Sequence, residues 1–292
     1  MVLEAGDPER SVELLWGEKP QPGRGPKPAL TLDGVVAAAI EVADEEGLSA
    51  LSMRRVAEKV GFTTMSLYRY VPGKAELLDL MQDAAAAEIV LPDHGLDWRA
   101  GLTFSARQDW ELYQRHPWMV QVTSTRSVPG PHYMAELEAR LRVLEGTGLS
   151  GRETMAVANL VSQYVEGAAR RAAEAQQAER TTGVSMEEWW GSRVSLWGHL
   201  TEDRYPTLAR VWMSGGYDGM VDDFEFGLRR VLDGIEVLVR GRDETPRRDE
   251  TVSSCVTCGT PVEKPATGRP KEYCSRACQQ KAYRARQAGS GQ

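Results

Sequence analysis

Residues Ser52 to Lys74 read SMRRVAEKVGFTTMSLYRYVPGK. The Ser52 hydroxyl is placed to cap a short helix running to Val60, and Gly61 breaks it. A second short helix follows from about Thr63 to Tyr70, and Val71-Pro72-Gly73 punctuates the chain again. Val56, Ala57, Val60, Leu67 and Val71 pack the two helices together, leaving the outer face of the second free to enter a major groove. Arg54, Arg55, Lys59, Arg69 and Lys74 oppose only Glu58, a local charge of +4 of the kind that phosphate contact requires.

Upstream, Leu30 begins a helical pattern with Val36, Ile40 and Ala43 on one face and a stop at Gly47. Downstream, a longer helix is expected from Lys74 to about Val90, with a boundary at Pro92 to Gly95. Together, EEGLSALSMRRVAEKVGFTTMSLYRYVPGKAELL and its flanks, over about residues 29–90, resemble the DNA-binding domain of TetR-family transcriptional regulators, SLYRYVPGK being the most distinctive part. The resemblance implies a homodimer whose two recognition helices read half-sites of a palindromic double-stranded DNA operator. It implies base or nearby phosphate contact for Thr63, Thr64, Met65 and Ser66, and groove-facing positions for Tyr68 and Arg69. It further implies backbone anchoring for Tyr70 and Lys74, and a cap that also touches phosphate for Ser52.

Beyond residue 92 the pattern is of long helices, near 98–115, 131–145, 150–179, 186–199 and 217–240. The region 98–240, with HPW at 116–118 and FEFGLRRVLDGI, resembles the effector-binding domain of the tetracycline-repressor branch. That resemblance implies dimerisation through the last two long helices, and release from DNA on binding a small-molecule effector. The histidine and acidic pair that would hold a magnesium–tetracycline chelate is not recognisable, and His94, His116, His132 and His199 read as isolated. A pocket for a flat apolar effector is expected among Trp110, Tyr113, His132, Gln163, Tyr164 and Trp197.

All four cysteines fall in the last 38 residues, where CVTCGTPVEKPATGRPKEYCSRACQQKAYRAR holds C-x2-C, fifteen residues, then C-x3-C. Cys255, Cys258, Cys274 and Cys278 can close a tetrahedral structural Zn²⁺ site; disulfides and free thiols are the weaker alternatives. The spacing resembles a treble-clef finger such as that of small gyrase-inhibitor proteins. This module carries +5 and reads three ways: DNA contact, capture of a protein partner, or a purely structural tail. An alternative to the repressor reading is a zinc-dependent protein-interaction scaffold working through it.

The whole chain of 292 residues carries −7, which excludes a basic coat and confines DNA contact to local patches. The proline- and glycine-rich stretch 17–28 reads as a flexible arm whose Arg24 and Lys27 either reach an adjacent groove or belong to a free tail. No apolar run is long enough for a membrane span and the N-terminus lacks signal-peptide character, so a cytoplasmic protein is expected. No catalytic constellation stands out, so no enzyme is expected. The expected fold is all-α: a 1–28 arm, a 29–91 helix-turn-helix domain of three helices, a 92–241 helical effector and dimerisation domain, a 242–253 linker, and a 254–288 treble-clef-like zinc module.

Overall fold

A computed structural model describes residues 7–17, 30–122, 127–216, 223–243, 252–263 and 272–289. Arg24, Lys27 and Lys271 lie outside the described residues, as do the side chains of Trp197, Tyr283 and Arg286. The described chain is helical, apart from one two-stranded sheet near its end. It divides into two compact units, Met1–Glu236 and Val237–Gln292.

The first unit opens with α1 (Pro8–Trp16), a helix inside the stretch 1–28 expected to be an arm. Asp7 caps α1, and Pro8 starts it without wasting an N–H. Then come α2 (Leu32–Glu46), α3 (Met53–Val60), α4 (Thr64–Tyr68) and α5 (Lys74–Ala86). Thr31, Ser52 and Thr63 cap α2, α3 and α4, each side-chain oxygen accepting a backbone N–H of the first turn. Gly61 closes α3 in the left-handed conformation at φ 74°, returning its N–H to Ala57. Val35, Val42, Val56, Leu67, Leu77 and Met81 are fully buried in one core shared by α2 to α5.

Four helices follow the boundary: α6 (Trp98–Arg115), α7 (Pro131–Arg142), the 32-residue α8 (Gly151–Thr182) and α12 (Asp223–Asp243). Between α8 and α12 the tryptophan-rich run breaks into α9 (Met186–Gly191) and α10 (Val194–Trp197), and α11 (Pro206–Met213) is an additional helix. Ser150 and Glu153 form a reciprocal capping box that starts α8. Phe224, Leu228, Leu232 and Ile235 bury one stripe of α12, while Arg99 reaches Asp233 at 2.6 Å and Glu236 at 2.9 Å.

The second unit holds the antiparallel strands β1 (Val252–Ser254) and β2 (Pro261–Glu263), with Ser253 opposite Val262. It ends in α13 (Arg276–Gly289). Strand β1 begins inside the stretch whose charge reads as linker.

Candidate nucleic-acid interface and buried cavity

The face of α4 is built by burying one residue and exposing the rest. Leu67 is completely buried against α3, which turns Met65 outward at 75% exposure and Tyr68 at 48%. Thr63 accepts the Ser66 N–H at 3.3 Å, and the two hydroxyls lie 2.9 Å apart, so the start of this helix is set by its own side chains. Tyr70 donates its hydroxyl proton to the Leu30 carbonyl at 3.0 Å, and the Lys74 ammonium donates to the Leu51 carbonyl at 2.7 Å. Burial lowers the Lys74 pKa from its ordinary value.

The cations of α3 are less available than their count suggests. Arg55 grips Glu46 with two nitrogens, Lys59 meets Glu45 at 2.9 Å and Glu41 at 3.2 Å, and Arg54 pairs with Glu58. The acidic end of α2 therefore neutralises much of the +4 patch, and hydrogen bonding to these carboxylates raises Arg55 and Lys59. Arg69 is exposed and has no ion-pair partner among the described residues.

Behind this domain lies a cavity of about 490 Å³ walled by α5, α6, α7 and α8. Its floor is charged. Arg140 of α7, 5% exposed, reaches Asp109 of α6 at 2.7 Å, and also bonds Glu136 and Ser162. Burial pushes Asp109 up to about 7, against the pull of Arg140. Burial opposes charge on Arg140 too, but Asp109 and Glu136 outweigh it and raise its pKa. Tyr113 is raised by burial and stays a neutral phenol. Leu112, Met119, Val122 and Leu137 give the cavity apolar walls.

The same cavity touches the elements that carry the α3–α4 pair. Asp79 and Asp83 of α5 line it, and Asp79 accepts the Ser127 hydroxyl at 2.8 Å and the Ser11 hydroxyl of α1 at 2.7 Å. Asp83 accepts the N–H groups of His132 and Tyr133 and lies 2.8 Å from His132 Nδ1. That approach needs a glycine at 130, where a Cβ would strike the Asp83 carboxylate. Trp118, 1% exposed, donates to Asp44 of α2 at 2.8 Å, and His116 lies 2.9 Å from the same carboxylate. His116 and His132, read as isolated in the sequence, are both held by acids.

In the second unit all four cysteine sulfurs lie within 4.8 Å of one another. Cys258–Cys274 and Cys274–Cys278 are 3.5 Å apart, and Cys258–Cys278 3.7 Å. The β1–β2 turn sets the first pair: Cys255 donates its N–H to Thr260 at 2.8 Å, and Gly259, at φ 73°, returns its own to Cys255. The second pair sits at the start of α13.

Two family profiles match the chain: "Bacterial regulatory proteins, tetR family" over residues 35–81, and "Tetracyclin repressor-like, C-terminal domain" over residues 91–239. The chain belongs to the TetR family. Its relatives are regulators rather than enzymes: it is 46% identical to the HTH-type transcriptional repressor DrrR1 of Streptomyces coeruleorubidus over 82% of this chain and 89% of that one. It is 31% identical to an HTH-type transcriptional regulator of Saccharopolyspora erythraea over 74% and 89% of the two chains. The solved structure of the Streptomyces coelicolor TetR family protein ActR in complex with actinorhodin superposes with a TM-score of 0.61 at 27% identity, covering 71% of this chain and 96% of that one. No helix among the described residues is long and apolar enough to cross a membrane.

Against this TetR frame, the pocket expected from the sequence and the cavity overlap in one residue. Tyr113 lines the cavity. Trp110 instead stacks on Phe224 with ring centroids 4.4 Å apart, and Tyr164 donates to main-chain carbonyls of Asp223 and Phe224. His132 sits at the cavity's edge on Asp83, and Gln163 is not among the lining residues. Aromatic content marked the packing of α6 and α8 against α12. The sequence pattern does not mark Asp109, Glu136 and Arg140 as cavity residues, because such residues are ordinarily solvent-facing; the four-residue spacing of Glu136 and Arg140 is the one local signal of their pairing.

Proposed function

We propose that this protein is a homodimeric repressor that binds a palindromic operator through α4 and leaves it when a small molecule fills the cavity. The observation that carries the reading is the α3–α4 pair: a capped five-residue helix anchored by Leu67, presenting Met65, Tyr68 and Arg69 outward. Thr63, Thr64, Met65, Ser66, Tyr68 and Arg69 are assigned to base edges and the nearest phosphates. Lys74 spends one of its three ammonium protons on Leu51 and keeps two for a phosphate. Tyr70 has spent its single proton on Leu30, so a phosphate contact from it requires giving up that bond. Ser52 caps α3 through its side chain and is assigned to the nearest phosphate.

Release follows from shared walls. A ligand that prefers one arrangement of α5 and of the 116–122 segment shifts the population towards it, and through Asp44 and the α5 core moves α4. Dimerisation is assigned to α8 and α12, whose exposed Met155, Leu160 and Phe226 offer apolar surface. The test is a gel-shift titration on operators selected from random DNA. Thr64→Ala and Arg69→Ala should change sequence preference, while Lys74→Ala should weaken all binding and lower its salt slope by about one. Unchanged binding in all three variants would sink the assignment.

The four cysteines are assigned a structural Zn²⁺. Ligands at about 2.3 Å in a tetrahedron place sulfurs about 3.8 Å apart, and the observed 3.5–3.7 Å spacings among Cys258, Cys274 and Cys278 fit. With four thiolates bound, no position is open for catalysis, so the metal would supply only folding. Elemental analysis of reduced protein should find one zinc per chain, and Cys274→Ser should abolish it.

A further inference from the structure

The cavity floor is unbalanced in charge. Asp109 and Glu136 share the single guanidinium of Arg140, which takes one oxygen of each, Oδ2 and Oε1. Asp109 Oδ1 and Glu136 Oε2 have no donor among the described residues. The other carboxylates on the wall are held by groups of their own, none of which reaches Asp109 or Glu136. Glu166 is taken by Arg170 at 2.5 Å, Asp83 by His132 and two backbone N–H groups, and Asp79 by the hydroxyls of Ser11 and Ser127. Two buried carboxylates on one cation leave a negative charge that only a proton or a further cation can relieve.

A second observation is independent of that imbalance. Arg140 Nε is buried without a hydrogen-bond partner, and a guanidinium N–H can only donate. Its need is for an acceptor oxygen, which neither the floor carboxylates nor Ser162 supplies to that atom. That atom has almost no accessible surface and a ligand does not reach it, whereas Asp109 Oδ1 and Glu136 Oε2 are not closed off and lie beneath walls of Leu112, Met119 and Val122.

We propose that the cavity takes an organic cation: an amphipathic amine whose ammonium lies against Asp109 Oδ1 and Glu136 Oε2 and whose apolar part meets Leu112, Met119 and Val122. This deepens the reading of the chain as a ligand-responsive regulator and rests on it. Ammonium binding replaces the proton that otherwise neutralises the pair, so the site selects against the neutral and the acidic forms of one scaffold. An anionic ligand would add a third negative group to two that are already in excess.

The experiment is calorimetric titration of the full-length protein with three forms of one ring system: methoxytryptamine, its N-acetyl derivative and methoxyindole acetate. The amine should bind at least about tenfold more tightly than the other two, the difference that one modest charge interaction supplies. Asp109→Asn and Glu136→Gln should each abolish that preference, with folding checked by circular dichroism; if both variants unfold, the wild-type ranking alone decides. Equal or reversed affinities, no binding of any of the three, or a preference that survives both substitutions overturns the proposal. Operator binding by the same preparation separates the failures. Protein that shifts operator DNA but ignores amines refutes the ligand class alone, and protein that selects no DNA sequence refutes the regulator reading beneath it.

Discussion

The helix-turn-helix region and the cavity floor are held together by opposite means. Around α3 and α4 the buried side chains are aliphatic: Val56, Leu67 and Val71 meet Val35, Val42 and Leu77. Charges stay outside, in pairs such as Arg55–Glu46, and polar groups are used up by caps. At the floor, Asp109, Glu136 and Arg140 are buried together beside an open volume. The first arrangement keeps its charges at the surface and its core aliphatic, whereas the second leaves buried charge to be satisfied from outside. A switch needs both: a reading head that keeps its shape, and an interior whose stability depends on what occupies it.

The widest gap between the two should appear when each loses its central side chain. Arg140→Met leaves two buried carboxylates without a cation and is expected to cost about 3–5 kcal/mol. Urea unfolding should show that loss, and a bound amine should recover part of it. Leu67→Ala removes the anchor of α4 and is expected to cost about 2–5 kcal/mol. The melt should fall and operator affinity with it, but no amine should restore either. If the two variants respond alike to ligand, the contrast is wrong.

Acidity separates the regions more gently. Asp109 is raised from 3.8 to about 7 by burial, so the folded protein holds its proton more tightly than the unfolded chain. Its contribution to stability is fully present below about pH 4 and is lost as pH rises through about 7. The groups facing it are Tyr113 on α6, Glu136 and Arg140 on α7, Glu166 on α8, and Asp79 and Asp83 on α5. Scanning calorimetry should record a melting temperature that declines between about pH 4 and 7 and levels off above that in the wild type, and declines less in Asp109→Asn. The smallest structural effect belongs to Arg69→Ala, which should leave the melt unmoved while altering DNA selection, since Arg69 supports no ion pair among the described residues.

What could be read in the sequence follows the same division. The α3–α4 pair is a local object: Ser52, Gly61 and Thr63 start and stop its helices within a few residues, and Leu67 and Val71 show their burial by spacing. The clustering of the four cysteines was legible for a similar reason, since C-x2-C and C-x3-C each bring two sulfurs together locally. The floor joins residues 31 positions apart, Asp109 and Arg140, and nothing near either announces that water is excluded there. Docking of α1 depends on Ser11 meeting Asp79, 68 positions away. The +4 charge count was correct as arithmetic, but it missed the partners that α2 brings alongside from Glu41, Glu45 and Glu46.

Helix α4 has only five residues. A reader that short brings on the order of three or four side chains to base edges, so it spells a very short word. Words of that length recur throughout any chromosome, and one copy alone names no locus. In the proposed dimer, two copies name one through the distance between them, so the address is written in spacing more than in letters. In the proposed release, a ligand that changes the spacing slightly makes the address unreadable while every letter remains in place.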